Sequence, residues 1–329
     1  MFWAHFRVNL SALDKDPTRH MQIATQILDL FAGQLGSLLM NYPTLTSLAL
    51  MTTFVGAAPA AFSQTPAENM AKAGQLRVLV HEAAASACMV DSGVAADVEM
   101  QALAATHRKF TEALSELNGT DVAQFTATIE AKWMPFDEAI SMIWAGDDPT
   151  GYIDNMSRAK GALEFAVLSL HDHTSITYQA TADINMSDML TLDLAARQEV
   201  IIQQMKLMAC EMSSSTVSAD TRDALKDTIA VYETSLAALT DGVPEIGIAA
   251  PESYLTQQVL AASAYDWQGM KPSLEVIVEA RTATRAQLSG LRWRVNGLDA
   301  RMADLVDIYL APVVAEDKSR VALLDHATQ

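Results

Sequence analysis

Two halves of the chain carry the same short motifs at the same spacing, and this feature constrains the fold more than any other. Arg77 and Glu199 occupy matching places in two similar helical segments, at an offset of 199 − 77 = 122. Cys88 and Cys210 are also 210 − 88 = 122 residues apart. An internal duplication is the simplest account of two motifs that share one offset.

The composition favours helices throughout both copies. Half of the 329 residues are hydrophobic, only 14 are Gly and 10 are Pro, and runs that alternate with a period of two are scarce. Trp133 and Trp267 begin a matching Trp-Pro helix later in each copy. We predict an all-α protein of two tandem up-down four-helix-bundle-like modules, residues 64–182 and 183–329. Packing of the two modules about a pseudo-twofold axis is one arrangement of such a pair.

The charge and the missing motifs exclude several classes of function. The formal net charge of −18 repels phosphate backbones, so we expect no nucleic-acid partner. The sequence has no Gly-rich phosphate loop, no His-Glu-x-x-His or Gly-x-Ser-x-Gly motif, and no convincing pair of catalytic carboxylates. We therefore expect a protein that is not an enzyme and needs no cofactor or metal.

Residues 1–63 read as a leader that precedes the helical modules. Residues 44–62 are apolar or small and carry no charge, and residues 44–63 fit the core and cleavage region of a signal peptide. Because this stretch lies far from the first residue, Met21 or Met40 is an alternative start. Cleavage predicts a periplasmic or secreted protein, whereas an uncleaved 44–62 would anchor the chain in the inner membrane.

A stripe of small and polar residues runs along the first helix of the first copy. Gly74, Arg77, His81, Ala84 and Cys88 are spaced three, four, three and four, which places them on one helix face. Small residues allow close approach of another helix, but polar residues in such a seam are costly to bury unless they are paired. We therefore expect the cationic side chain of Arg77 to pair with an acidic group of the protein or with an anionic ligand.

These motifs resemble a known family of sensor domains. Lys-Ala-Gly-x-Leu-Arg at 72–77 is similar to the start of the periplasmic nitrate-sensor domain of NarX-type histidine kinases. Leu-Ala-Ala-Arg-Gln at 194–198, with Gln203 and Met205, resembles the PilJ-type domain of type IV pilus methyl-accepting transducers. The resemblance implies a four-helix bundle per copy, no catalysis, and a small-anion site at the first helix.

The resemblance gives the anion-binding role to Arg77. Further candidate ligand-binding residues are Gly74 and His81 on its stripe, and Arg197 and Gln203 in the second motif. The alternative for His81 is a core histidine whose hydrogen bonds are satisfied within the protein. The role of the anion-binding arginine does not carry over to the second copy, where position 199 is Glu. Two arrangements stay open: an Arg77–Glu199 salt bridge within the chain, or two copies of Arg77 facing each other in a homodimer and holding a small anion.

The cysteines and a histidine pair each have two interpretations. Cys88 and Cys210 form a disulfide if their helices pair about a pseudo-twofold axis, or they lie as small buried residues in separate cores. His171 and His173 point to different faces of one helix, so they cannot chelate a metal together. We expect a solvated surface there.

These features predict a periplasmic module that senses or binds a small ligand and passes the signal to a membrane signalling protein. No output domain is expected, since the chain reaches Gln329 without a kinase or methyl-accepting region. The alternative function is a structural or interaction protein of the cell envelope. The complementary charges of Arg77 and Glu199 favour that alternative.

Overall fold

The computed structural model describes residues 65–118, 122–145, 149–181, 186–214 and 219–327. This described part is all-α and contains no β-strand, as predicted. Its eight α-helices are α1 (Pro66–Asp91), α2 (Ala96–Leu117), α3 (Ala123–Ala145), α4 (Pro149–Thr181), α5 (Met186–Glu211), α6 (Ala219–Asp241), α7 (Tyr254–Ala280) and α8 (Arg285–Ala327). A short 3-10 helix, Pro244–Ile246, precedes α7.

The predicted leader, including the signal peptide at 44–63 and the alternative anchor at 44–62, lies outside the described residues. Within the described ranges, none of the helices combines the length and apolar character needed to cross a membrane.

The start of α1 is fixed by a capping box. The Thr65 hydroxyl accepts a hydrogen bond from the backbone N–H of Glu68, whose carboxylate accepts one from the backbone N–H of Thr65. Pro66 occupies the first turn, where its missing N–H has no helical partner to lose. The cap sets where the helix begins.

Helix α1 lies at the centre of the molecule. It packs against α2 and α4 of its own half and against α5 and α8 of the other half. Apolar residues are spread around all its faces, with buried Leu76, Val80 and Met89 among them. A helix that is apolar all round is one that other helices surround.

Each half forms a four-helix arrangement, and the two halves share a core. In the first half α1 contacts α2 and α4, and α3 contacts α2 and α4; α5 to α8 repeat this pattern. One hydrophobic cluster takes buried side chains from all eight helices. The two copies are therefore packed together through a continuous apolar interior.

An aromatic pair lies between the second and third helices of each half. Phe110 of α2 stacks on Trp133 of α3, with ring centroids 3.9 Å apart. Tyr232 of α6 packs on Trp267 of α7 with the rings tilted by 44° and their centroids 4.5 Å apart. The offset of the first partners is 232 − 110 = 122, equal to that of the cysteines, and that of the tryptophans is 267 − 133 = 134.

A disulfide joins the first helices of the two halves. Cys88 of α1 and Cys210 of α5 are bonded, with their Cα atoms 6.1 Å apart. Of the two alternatives that the sequence left open, the structure has the bonded one. His81 contacts Gln204, Cys88 is bonded to Cys210, and Ser92 contacts Ser213, so residue numbers rise together along the two helices. Helices α1 and α5 therefore run side by side in the same direction.

Candidate functional site

Arg77 of α1 is half-buried beside α5. Its guanidinium has no hydrogen bond or ion pair to another residue in the described part of the chain. Burial, together with the positive charge of Arg197 on α5, lowers the pKa of Arg77 to about 10, although Asp193, Asp172 and Glu164 oppose the shift. The side chain remains protonated at neutral pH and is a cation without a direct partner.

Arg197 lies in a buried network with two other groups. Its Nε donates to Asp193 Oδ2 at 2.8 Å, one helical turn away on α5. The other Asp193 oxygen lies 3.0 Å from Nε2 of His171 on α4. Burial raises the pKa of Asp193, but the charge of Arg197 and the hydrogen bond from His171 outweigh burial and hold that pKa well below its usual range.

His81 extends the same region along α1. It is buried, and its Nε2 lies 3.1 Å from Oε1 of Glu164 on α4 and 3.3 Å from the side-chain nitrogen of Gln204 on α5. Burial lowers the pKa of His81, because desolvation outweighs the attraction of Glu164. The neutral ring donates from Nε2 to the carboxylate, while its Nδ1 is buried without a partner.

We call this region the Arg77 cluster: Arg77 and His81 of α1, Glu164, His171 and Asp172 of α4, and Asp193 and Arg197 of α5. Burial raises the pKa of Asp172, although the nearby charges of His171, Arg77 and Arg197 oppose the shift. Gly74 is buried at the end of the cluster, where an added Cβ would meet His171 at 4.0 Å, an ordinary contact. Close packing therefore does not require glycine at this position.

The Arg77–Glu199 salt bridge was one of the two arrangements that the sequence left open, and the described structure does not contain it. No ion pair joins the two described side chains, and Glu199 instead interacts with Glu82, Asp299 and Asp307. The neighbours of the two side chains show the difference. Arg77 lies near Asp172 and Glu164 of α4, whereas Glu199 lies near Asp299 and Asp307 of α8.

The second copy has an acidic cluster in the place of the Arg77 cluster: Glu82 of α1, Glu199 and Gln203 of α5, and Asp299 and Asp307 of α8. Burial and the three neighbouring carboxylates raise the pKa of Glu199 to about 8. Burial also raises the pKa of Asp299 to about 6, although a hydrogen bond from Gln203 lowers it. Gln203 thus lies with these carboxylates and is not brought together with Arg77.

The sequence identified Arg77, His81 and Arg197 of the Arg77 cluster as candidates, but none of its three carboxylates. The expectation of a solvated surface at His171 is wrong, since this side chain is buried between α1 and α5. The spacing of Asp193 and Arg197, four residues apart on one helix, was the available signal for an ion pair. Nothing in the sequence indicated that Glu164 would meet His81.

Two guanidinium groups of the Arg77 cluster could contact an anion where the two halves meet. One is the half-buried guanidinium of Arg77, and the other is that of Arg197. Such an arrangement binds charge and donates hydrogen bonds, and guanidinium groups match planar oxyanions well. Among the described residues, no group of three or more His, Cys, Asp or Glu side chains is arranged to hold a metal ion.

Comparisons with models of protein families, with curated proteins and with solved structures find no match to this chain.

Proposed function

We propose that this protein is a ligand-sensing or binding module for a small anion, related to the sensor domains of nitrate-responsive kinases and type IV pilus transducers. The observation that carries the proposal is the partly desolvated guanidinium of Arg77, which has no ion pair and lies beside a second arginine. A buried cation without a partner is costly, and an anionic ligand would supply the partner.

The place of the cluster suits a sensor. Arg77, Asp193 and Arg197 lie where α1 meets α5, which is the contact between the two copies. A ligand that bridges the two arginines would change the attraction between these helices. Because a ligand shifts a conformational equilibrium only by its differential affinity for the two states, a site at this contact is able to couple binding to relative movement of the halves.

The disulfide supports an exported location. Disulfides persist in oxidising compartments such as the periplasm and are rare in the reducing cytosol. The bond between Cys88 and Cys210 is therefore compatible with the periplasmic or secreted protein that residues 44–63 predict. A membrane signalling protein is the proposed recipient of the ligand signal, and crosslinking in intact cells with mass spectrometry tests for one.

The alternative is a structural or interaction protein. The feature that favoured it was a salt bridge between Arg77 and Glu199, and these two side chains are not in contact. Homodimerisation through two copies of Arg77 remains an alternative arrangement of the anion site. Sedimentation with and without anion distinguishes it from a site built within one chain.

The direct test is calorimetric titration of the full chain with nitrate, nitrite, sulfate and acetate at low ionic strength. We expect one of these anions to bind and to raise the unfolding midpoint by mass action. Arg77→Met should abolish that binding. The matched control is Arg108→Met, which removes an exposed arginine of α2 outside the cluster and should leave affinity unchanged.

Two outcomes would contradict the proposal. The first is that no anion binds at millimolar concentration. The second is that Arg77→Met and Arg108→Met reduce affinity equally, which would indicate a response to net charge and not a site.

A further inference from the structure

A groove between α6 and α7 encloses about 560 Å³ and lies away from the Arg77 cluster. Its volume falls within the range of roughly 300–1,000 Å³ that is typical of small-molecule sites. The floor is apolar, and charged side chains form the walls. The groove is lined by Arg222, Asp223, Lys226, Ile229, Glu275, Val278, Glu279 and Arg281.

The internal repeat explains why the groove is open. The first-half equivalents of Ile229 and Val278 are His107, at 229 − 122 = 107, and Trp144, at 278 − 134 = 144. In the first half these two rings pack edge to face across α2 and α3, with centroids 5.2 Å apart. The second half replaces both rings with smaller aliphatic side chains, and the space remains.

The two walls of the groove carry opposite charges. Arg222 and Lys226 are four residues apart on α6 and share a face, as Glu275 and Glu279 do on α7. Asp223 lies beside Arg222, which donates to it, and Arg281 follows the end of α7. The α6 wall is thus mainly basic and the α7 wall mainly acidic.

These walls do not pair with each other among the described residues. Arg222 bonds to Asp223 on its own helix, at 2.6 Å, and Glu275 interacts with Lys271 on its own helix, at 3.6 Å. Beyond the groove the same two helices do pair directly, because Lys271 lies 2.6 Å from Glu233 of α6. Opposite charges therefore face each other across the groove without closing it.

We infer that this groove binds a small zwitterion with an apolar body, namely a free amino acid or short peptide with an aliphatic side chain. Its carboxylate lies against the basic wall that includes Lys226, its ammonium against the acidic wall that includes Glu279, and its side chain on Ile229 and Val278. One ligand thereby satisfies both charged walls and covers the apolar floor. This site is separate from the proposed anion site.

Calorimetric titration of the full chain with L-leucine and with leucyl-leucine tests the inference and separates the two ligand sources. We expect one of them to bind, and N-acetyl-leucine and leucinamide, which each lack one charge, to bind at least about tenfold more weakly. Val278→Trp restores the ring that the first half has at this place and should abolish binding. Arg77→Met should leave it unchanged.

A pair of charge variants keeps the test independent of the bulky substitution. Glu279→Gln and Lys226→Gln replace exposed side chains that have no ion pair in the described part of the chain, so both should fold normally. Glu279→Gln should weaken leucine but have no effect on N-acetyl-leucine, which lacks the ammonium. The inference is overturned if neither probe binds, if the singly charged analogues bind equally well, or if both charge variants retain full affinity.

Discussion

Lys206 of α5 donates to Glu99 of α2 at 2.9 Å, and both side chains are almost completely buried. Arg292 of α8 donates to the other oxygen of Glu99 at 2.5 Å. The carboxylate belongs to the first half of the chain and both cations belong to the second half. One buried acid thus joins the two copies on the side where Lys206 replaces Ala84 of the repeat.

Removal of Glu99 should be far more harmful than removal of a surface carboxylate. Glu99→Gln leaves two buried cations without a counter-charge and should lower the free energy of unfolding by about 3–5 kcal/mol. Glu116→Gln breaks only the exposed pair with Lys72 and should cost about 1 kcal/mol or less. Urea unfolding of both variants measures the difference. Equal midpoints would show that the buried pairs do not hold the halves together.

Reduction of the disulfide should destabilise the whole molecule. The bond between Cys88 and Cys210 closes a loop of 122 residues, and the chain-entropy model gives about 5 kcal/mol for a loop of this size. Denaturant unfolding with and without dithiothreitol should show a large difference for the natural chain. The double variant Cys88→Ala, Cys210→Ala should not respond to the reductant. Free thiols in the unreduced, unfolded protein would contradict the bond.

The anion-free protein should tolerate the loss of Arg77. Because burial and Arg197 hold the pKa of Arg77 below its usual value, the surroundings disfavour its charge. Arg77→Met should therefore leave the unfolding free energy unchanged or raise it by up to about 1 kcal/mol. Arg197→Met should lower it, since Asp193 would lose its ion pair. A strong destabilisation by Arg77→Met in anion-free buffer would make this arginine a structural residue.

Much of the fold could be predicted from the sequence because it depends on spacing along the chain. The polar residues Asp91-Ser92-Gly93 lie where α1 ends, and Ser213-Ser214 lie just beyond the end of α5. The common offset of 122 places Cys88 and Cys210 at equivalent positions, which is the condition for a bond across a twofold axis. Hydrophobic periodicity and helix-ending polar residues determine the bounds of a helix from the local sequence alone.

The contacts across the axis could not be predicted, because they depend on how α1 and α5 are rotated against each other. In the structure Arg77 lies near Arg197 of α5, whereas Glu199 lies near Asp299 and Asp307 of α8. Arg197 and Glu199 are two residues apart and therefore point to different faces of α5. The burial of His171 likewise follows from the packing of α4 against α1 and α5, which no local pattern encodes.

Glu199 should make stability depend on pH in the neutral range. Its pKa in the folded protein is about 8, because burial and the carboxylates of Asp299, Asp307 and Glu82 disfavour its ionised form. The unfolded chain releases this proton near pH 4.3. Between these values the folded state binds more protons than the unfolded state, so stability falls as the pH rises from about 4.3 to about 8.

The variant Glu199→Gln removes this titration and keeps the size of the side chain. It should raise the free energy of unfolding by up to about 5 kcal/mol at pH 8.5 and change it little at pH 4.5. Glu112→Gln, which replaces an exposed carboxylate of α2, should shift neither value. Thermal unfolding of the three proteins between pH 4.5 and 9 provides the comparison. If Glu199→Gln stabilised the chain equally at both ends of this range, the effect would come from packing, and the acidic cluster would not be the source of the pH dependence.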